Sequence, residues 1–227
     1  MTSLTTIQRR VGAVPDGRWG PRTAKAIMAA LDACGHPPAP ARQLAHPEAF
    51  YKGVRAVTGP LNNTRFEIIN ALLAKAGHWS IAWLAYGLAT AWHESRLEPV
   101  EEIGKGRGRR YGVPGPHGGQ VAFGRGLVQL THPENYARAD DECKLEGALV
   151  ADYGLALRPD IAVAILVRGM EEGWFTGKKL GDYLPDERGT LAQFTDARRI
   201  INGTDRDDLI AGYAMKFQVA LVMGGWA

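Results

Sequence analysis

The chain of 227 residues contains only two cysteines, Cys34 and Cys143, which lie far apart in the sequence. Since there is no CxxC pair, the sequence gives no support to a cysteine-based zinc site or a disulfide framework. We expect both cysteines to be reduced thiols. A His-Glu-x-x-His zinc motif is also absent, because Leu97 stands where the second histidine would follow His93 and Glu94.

Long apolar stretches are lacking as well. No run reaches the roughly 20 apolar residues that a membrane-spanning helix needs. The first residues, Met1 to Gln8, have no cationic start followed by an apolar stretch, so they do not form a secretory signal peptide. We therefore expect a protein that is made in a cytoplasm and has no stable membrane insertion.

Neither sign of charge is in strong excess. Lysines and arginines number 27 and aspartates and glutamates 24, which gives a formal net charge of +3. This mild basicity suits an anionic polymer partner and is too small for a dedicated nucleic-acid-binding protein. The hydrophobic fraction of 45% is enough for a core without disulfide or metal staples, and the charged fraction of 22% excludes wholesale disorder.

The chain divides into three segments. Turn chemistry at Val14 to Gly17 separates two short predicted helices, the second over Ala24 to Leu31. A proline-rich stretch follows that cannot pack as a helix and behaves as a semi-rigid spacer. We therefore place a small helical segment at residues 1–34, a proline-rich linker at 35–46 and one larger domain at 47–227.

The larger domain is predicted to be mainly helical. Thr64 and Glu67 have capping-box spacing at the start of one helix. Ser80 can cap the next helix, which carries Glu94 near its end. The fold class is therefore mainly α. Apolar periodicity predicts three further helices, over residues 160–170, 191–201 and 205–223.

Residues 99–132 are rich in glycine, arginine and proline, and only 121–130 have strand character, which predicts a short β-hairpin region. A long irregular stretch in a helical domain is more often functional than ornamental. Its segment 104–108 lacks the structural context of a nucleotide-binding loop. Four cations lie in and just after this segment, namely Lys105, Arg107, Arg109 and Arg110. They could contact a nucleic-acid backbone, form a solvated loop or make a rim facing an acidic substrate.

Glu94 and Glu102 are placed as a general acid and a general base would be. One ends an apolar helix and the other follows the Pro99 turn, so a helix end and a returning loop can face each other across a cleft. Glycoside hydrolysis needs such a pair. Burial of Glu94 against Trp92 would favour the protonated form that an acid requires. From spacing alone, the alternative is that both are surface carboxylates.

Four stretches of the larger domain resemble, in the same order, the motifs of glycoside hydrolase family 19, a family of chitinases and phage endolysins. They are similar to its catalytic helix, the loop after that helix in phage members, the central signature and the late Asn-Gly motif. The resemblance implies a lysozyme-like, mainly α (α+β) fold. The stretches are 89–95 (ATAWHES), 99–112 (PVEEIGKGRGRRYG), 123–131 (FGRGLVQLT) with Asn135 and Tyr136, and 198–203 (RRIING).

The resemblance implies a role for each matching residue. Glu94 matches the general acid and Glu102 the general base, with the neighbouring Glu101 as an alternative base. Thr131 matches the hydroxyl residue that helps the base to hold the attacking water. Two of the amides among the sugar contacts, Gln129 and Asn202, have an alternative role as caps of backbone groups. The implied sugar-contacting residues are His93, Tyr111, Gln129, Asn135 and Asn202.

The mechanism implied by the family is inversion at the anomeric carbon by direct attack of water. Inversion requires carboxyl groups about 6.5–9.5 Å apart, whereas a gap near 5 Å would indicate a covalent, retaining route. Two carboxylates and a water molecule complete this chemistry. We therefore expect no metal ion and no organic cofactor.

Residues 1–34 also resemble a known module. Ile7 to Gly12 and Asp16 to Thr23 are similar to the peptidoglycan-binding domain of cell-wall hydrolases, although that module is longer, so the segment looks truncated. It either binds the wall or packs against the catalytic domain. This resemblance favours peptidoglycan over chitin as substrate, and the bond expected to be cut is the β-1,4 link after N-acetylmuramic acid.

Together the two resemblances imply an endolysin. Such an enzyme would be a monomer in the host bacterial cytoplasm and would reach the wall at lysis through a holin-type pore. Its expected partner is the glycan strand of peptidoglycan, with no nucleic acid. Three alternatives remain open: a chitinase acting on N-acetylglucosamine polymers, a non-catalytic wall-binding protein, and a nucleic-acid-binding protein whose duplex affinity would fall steeply with salt.

Overall fold

The fold is seen in a computed structural model, which describes residues 3–10, 13–18, 23, 26–27 and 41–227. The chain forms two compact units, Met1–Ala41 and Arg42–Ala227. Cys34, most of the predicted helix over 24–31 and most of the predicted linker lie outside the described residues. Wall binding by the N-terminal segment stays a prediction.

Among the described residues of the first unit, several hydrogen bonds meet at Gln8, a buried residue of helix α1 (Leu4–Arg10). The Gln8 amide nitrogen donates to Asp16 Oδ1 at 2.8 Å and to the Arg18 carbonyl at 2.9 Å. Its Oε1 accepts from the Gly17 N–H at 2.9 Å. Gly17 has a φ of 70°, which glycine adopts without strain. This residue therefore makes the turn that the sequence predicts.

The second unit is mainly helical, which confirms the predicted fold class. In the described residues there is one small sheet, in which β1 (Val100–Glu101) pairs antiparallel with β2 (Arg125–Gly126). None of the described helices combines the length and the apolar composition needed to span a bilayer. The helices are α2 (Pro47–Thr58), α3 (Asn63–Lys75), α4 (Ile81–Ser95), α5 (Pro133–Glu142), α6 (Ala148–Ala151), α7 (Pro159–Glu172), α8 (Leu180–Tyr183), α9 (Leu191–Ala197) and α10 (Asp207–Gly224), with 3₁₀ turns at Tyr153–Leu157 and Arg198–Ile200.

Helix α4 lies in the core. Of its 15 residues only three are not buried, because the helix packs against α7 and α10. Ser80 caps its N-terminus as predicted, since the Ser80 hydroxyl accepts from the Trp83 N–H at 3.2 Å. After its last turn, Arg96 and Leu97 both take a φ of 58° and bend the chain towards β1. Glu94 is therefore carried by the end of a firmly packed helix.

The start of α3 differs from the prediction. The helix begins at Asn63, and its cap is Asn62, whose side-chain oxygen accepts from the Arg65 N–H at 2.9 Å. Thr64 lies inside the first turn, so it cannot be the cap. Asparagine ranks above threonine at the cap position, and Asn62 has the extended backbone that a cap requires.

The strand predicted over residues 121–130 is shorter than expected. Only Arg125 and Gly126 pair with β1. Gly126 and Gln129 have φ angles of 85° and 54°, and these left-handed residues interrupt the extended backbone. The segment therefore doubles back, and Leu130 forms an isolated bridge with Arg125.

The two ends of the second unit are joined. The Gln43 N–H donates to the Ala227 carbonyl at 2.9 Å, and the Ala227 N–H donates to the Gln43 carbonyl at 3.2 Å. Leu44 and Trp226 form an isolated antiparallel bridge beside them. Residues 42–46, predicted as part of the linker, therefore belong to the second unit, where their backbone groups find partners.

Candidate active site

Glu94 is held by a buried arginine. Arg198 Nη1 donates to Glu94 Oε1 at 2.6 Å, and the Arg198 side chain is 2% exposed against 19% for Glu94. Arg198 Nε donates to the Asp205 carbonyl at 2.9 Å. The guanidinium is therefore fixed by two partners while it holds one oxygen of Glu94. The other oxygen, Oε2, has no hydrogen-bond partner in the described part of the chain.

Trp92, the residue against which Glu94 is predicted to be buried, packs against two arginines. The Trp92 ring lies against the guanidinium groups of Arg65 and Arg96, whose carbons are 5.5 and 4.9 Å from its centroid. The group that contacts the Glu94 carboxylate is the cation Arg198, which holds its Oε1 in place. This role of Arg198 was missed from the sequence, where Arg198 stands beside Arg199 and close to Asp196 and has no mark of a buried charge.

His93 is neutral at pH 7. Burial is the main cause that lowers the pKa of His93, and the charge of Glu94 opposes this effect. A neutral imidazole can both donate and accept a hydrogen bond, which suits the predicted contact with a sugar. Positive charges nearby lower the pKa of His93 further; they belong to Arg198, Arg206 and Arg96.

Glu102 is held by neutral donors. Its Oε2 accepts from the Gly124 N–H at 3.1 Å, and its Oε1 accepts from the Tyr111 hydroxyl at 3.0 Å. The Glu102 N–H also donates to the Gly124 carbonyl at 2.7 Å. These donors fix the orientation of the Glu102 carboxylate, as a general base requires.

Tyr111 connects Glu102 with the segment that carries Thr131. Burial raises the pKa of Tyr111, and the hydrogen bond to Glu102 raises it further. Tyr111 is therefore protonated at neutral pH and acts as the donor in this bond. Its ring meets the ring of His132 edge-on, with centroids 5.1 Å apart. Thr131 therefore directly precedes, in the chain, a residue that packs against Tyr111.

Glu101, the alternative base, has different partners. Lys105 Nζ lies 2.9 Å from Glu101 Oε2, and Arg125 Nε lies 3.5 Å from Glu101 Oε1. The hydrogen bond from Lys105 is the main cause that lowers the pKa of Glu101. Adjacent residues in an extended backbone point to opposite sides. Glu101 is thus directed to two cations and Glu102 to Gly124.

The Gln129 amide joins the two strands. Its Nε2 donates to the Val100 carbonyl at 3.2 Å and to the Gly126 carbonyl at 3.4 Å, as the capping alternative requires. A Cβ atom on Gly124 would lie 2.8 Å from Gln129 Oε1 and 3.3 Å from Glu102 Cβ. Glycine at position 124 therefore allows the Gln129 amide oxygen and the candidate base to approach the same stretch of backbone.

Thr131 and Asn135 lie at the start of α5. Asn135 Nδ2 donates to the Thr131 carbonyl at 2.9 Å, so this amide binds a backbone group. The Thr131 side chain is half-buried, and its hydroxyl makes no hydrogen bond to any residue that the structure describes. The hydroxyl therefore has its full capacity left for a water molecule.

Asn202 lies near Arg198. Its N–H donates to the Arg198 carbonyl at 3.0 Å. Its exposed side-chain amide has no hydrogen-bond partner among the described residues, so the capping alternative does not apply to it. The contacts thus join Asn202 to Glu94 through Arg198 and Tyr111 to Glu102 directly, while Asn135 contacts Thr131.

The site has no feature of a metal centre. In the ranges that the structure describes, no three histidine, cysteine, aspartate or glutamate side chains come together as a metal ion would need. Cys143, the cysteine that the structure describes, is a free and half-buried thiol, and burial raises its pKa.

No family model and no curated protein matches the sequence. Among solved structures, the chain is similar to chitinase C from Streptomyces griseus HUT6037. The identity is 19%, the match covers 79% of this chain and 68% of that chain, and the TM-score is 0.45. An identity of 19% with a TM-score of 0.45 does not assign a function to this chain.

Proposed function

We propose that this protein is a glycoside hydrolase that cuts the β-1,4 bond after N-acetylmuramic acid in bacterial peptidoglycan. The observation that carries the proposal is the contrast between two carboxylates. Glu94 is paired with the buried cation Arg198, whereas Glu102 accepts hydrogen bonds from Gly124 and Tyr111. Each carboxyl group is therefore held by its own fixed partners, as separate acid and base roles require.

In the proposed reaction, a water molecule attacks the anomeric carbon as the bond from that carbon to the leaving oxygen breaks. Glu102 takes a proton from this water, which the Thr131 hydroxyl helps to hold. Glu94 gives a proton from Oε2 to the leaving oxygen. Arg198 then stabilises the carboxylate that forms, because its guanidinium is already in place. One carboxyl group gains a proton as the other loses one.

This route inverts the configuration at the anomeric carbon. It requires space for the water between the two carboxyl groups, so a separation of about 6.5–9.5 Å stays a prediction. The side chains of His93, Asn202 and Gln129 are proposed to contact the sugars around the bond that is cut. The proposed chemistry requires no metal ion and no organic cofactor.

The cellular role belongs to the same proposal. The resemblance of residues 1–34 to a peptidoglycan-binding module and the net charge of +3 support an anionic wall polymer as partner. As an endolysin, the enzyme would act as a monomer. It would be held in the host cytoplasm until a holin-type pore opens the way to the wall.

The test is clearing of purified peptidoglycan, stripped of outer membrane, with an assay for new reducing ends. Glu94→Gln is compared with wild type. Glu98→Gln is the matched control, because Glu98 lies four positions after Glu94 in the chain and forms an ion pair with Arg65. We expect wild type and Glu98→Gln to clear the wall and produce reducing ends. We expect Glu94→Gln to lose about 100-fold or more of the rate, with an unchanged far-UV circular dichroism spectrum.

Other results would overturn parts of the proposal. Clearing without new reducing ends would indicate amide or peptide cleavage. Release of sugars from chitin oligomers, with no action on peptidoglycan, would identify a chitinase. Sedimentation with walls that are never cleared would identify a wall-binding protein. A Glu94→Gln variant that keeps more than about a tenth of the rate would remove Glu94 from the role of acid.

A further inference from the structure

A closed loop of residues 103–112, here named the arginine loop, follows Glu102 directly. It is built from consecutive turns, with backbone hydrogen bonds such as that from the Arg109 N–H to the Gly106 carbonyl at 2.8 Å. The backbones of Gly106 and Gly112 touch, since a Cβ on Gly112 would lie 1.7 Å from the Gly106 oxygen. The loop is therefore closed at its base and projects as a compact unit.

The arginine loop carries three cations without partners. Arg107, Arg109 and Arg110 are exposed, and their side chains make no ion pair or hydrogen bond within the described ranges. Like charges this close in the chain repel one another, so an anion bound to them would remove an unfavourable interaction. Seven other arginines of the second unit already have acidic partners; they are Arg42, Arg65, Arg125, Arg158, Arg168, Arg198 and Arg199.

The arginine loop is tied to the candidate base at both ends. It starts one residue after Glu102, and Tyr111 near its other end donates to Glu102 Oε1 at 3.0 Å. Lys105 is held back by Glu101, at 2.9 Å, so the remaining cations face outward while the base of the loop stays fixed. A substrate anion that binds to the arginine loop would therefore lie close to the bond that Glu102 helps to cut.

We propose that Arg107, Arg109 and Arg110 bind the carboxylates of the peptides that branch from the substrate glycan, and so select peptide-bearing strands over neutral ones. This inference rests on the proposed function. A guanidinium group matches a carboxylate through two parallel hydrogen bonds. N-acetylglucosamine polymers have no carboxylates, so the loop would distinguish peptidoglycan from chitin without any change in the catalytic groups.

The test compares two triple variants of equal net charge. Arg107→Gln/Arg109→Gln/Arg110→Gln removes the loop cations. The control removes three exposed cations elsewhere, namely Arg55, Arg188 and Lys216, each changed to Gln. Both variants go from +3 to a formal charge of 0, so a non-specific effect of net charge on wall binding would appear equally in both.

Three substrates are used at low salt, with new reducing ends as the readout. They are intact peptidoglycan, the same material with its carboxylates converted to methylamides by a carbodiimide, and strands whose peptides an amidase has removed. We expect the loop variant to lose about 10-fold of the rate on intact peptidoglycan and the control less than about twofold. On the methylamide material, wild type and loop variant should have equal rates, as they should on amidase-treated strands.

Each contrary result has a distinct meaning. Equal rates of the two triple variants on intact peptidoglycan, or a 10-fold loss that persists on methylamides, would overturn the inference and leave the proposed function standing. A loss found on amidase-treated strands and not on intact peptidoglycan would overturn the inference. It would assign the carboxylate to the lactyl group of the sugar, which forms an amide with the peptide in intact material and is freed by the amidase. Salt-sensitive binding of duplex DNA that the loop variant alone loses would replace the inference with nucleic-acid binding. No reducing ends from wild type on any substrate would refute the proposed function itself.

Discussion

Arg198 Nη1 lies 2.6 Å from Glu94 Oε1, although the two residues are 104 positions apart in the chain. The contact joins the end of α4 to the 3₁₀ turn at Arg198–Ile200. Since Arg198 is almost completely buried and Glu94 is partly exposed, the arginine is the fixed partner and the carboxylate the one that reaches solvent. The candidate acid therefore exists as a positioned group only when the C-terminal helices have packed.

Replacement of Arg198 is expected to destabilise the protein. Arg198→Met leaves the Glu94 carboxylate without its cation, and we expect the free energy of unfolding to fall by about 2–3 kcal/mol, less than for a fully buried pair because Glu94 is partly exposed. The measurement is urea unfolding at pH 7. Arg199→Met is the control, since Arg199 forms an exposed pair with Asp196, and it should cost about 1 kcal/mol or less. Equal losses would show that the Glu94 pair adds no stability.

The two adjacent glutamates should differ in their effect on activity. Glu102→Gln is expected to lower the rate of reducing-end formation by about 100-fold or more, because an amide cannot accept the proton of water. Glu101→Gln should keep most of the rate, since Glu101 is occupied by Lys105 and Arg125. Initial rates on peptidoglycan decide between them. If Glu101→Gln is the more damaged variant, the base is Glu101.

The Thr131 hydroxyl is expected to matter for rate and not for folding. Thr131→Ala removes the group that holds the attacking water, and we expect the rate to fall on the order of 10-fold. Thr131→Ser keeps the hydroxyl and should recover most of that loss. Thermal unfolding of both variants serves as the check. An alanine variant as active as the serine variant would exclude a role for the hydroxyl.

Protonation of His93 is expected to destabilise the folded state. The pKa of His93 is lowered from its value of about 6.5 in an unfolded chain, so the unfolded state takes up this proton first as the pH falls. The free energy of unfolding should therefore decrease from about pH 6.5 down to the lowered pKa of the folded state. Urea unfolding from pH 7.5 to 5 should show a shallower decrease for His93→Gln. Parallel curves for variant and wild type would contradict the shift.

Features that depend on neighbouring residues could be predicted from the sequence. The Ser80 cap and the helix after it follow from local preferences, and the structure has both. At α3, the sequence predicts a capping box at Thr64 and Glu67, whereas the cap is Asn62, because the choice depends on backbone angles that periodicity does not fix. The strand predicted over 121–130 fails for a related reason, since the left-handed turn at Gln129 uses a residue type that rarely adopts it.

Features that depend on distant partners could not be predicted in this way. The sequence marks Glu94 and Glu102 as candidates, but the donors that surround them come from Arg198, Gly124 and Tyr111. No spacing rule joins residues 104 positions apart, and a backbone N–H leaves no mark in the sequence. The contrast between the two carboxylates is therefore a property of the folded chain.

The two backbone hydrogen bonds between Gln43 and Ala227 bring residues 43 and 227 of the second unit side by side. A short peptide from 227 to 42 could close the ring, and the chain could be opened between Gly118 and Gly119, which are exposed and have open space around them. Ribosomal synthesis of such a permutant would produce Arg198 before Glu94. Each carboxylate would keep its partners, so catalysis by this unit would depend on the closed ring of contacts and not on the order in which the residues are made.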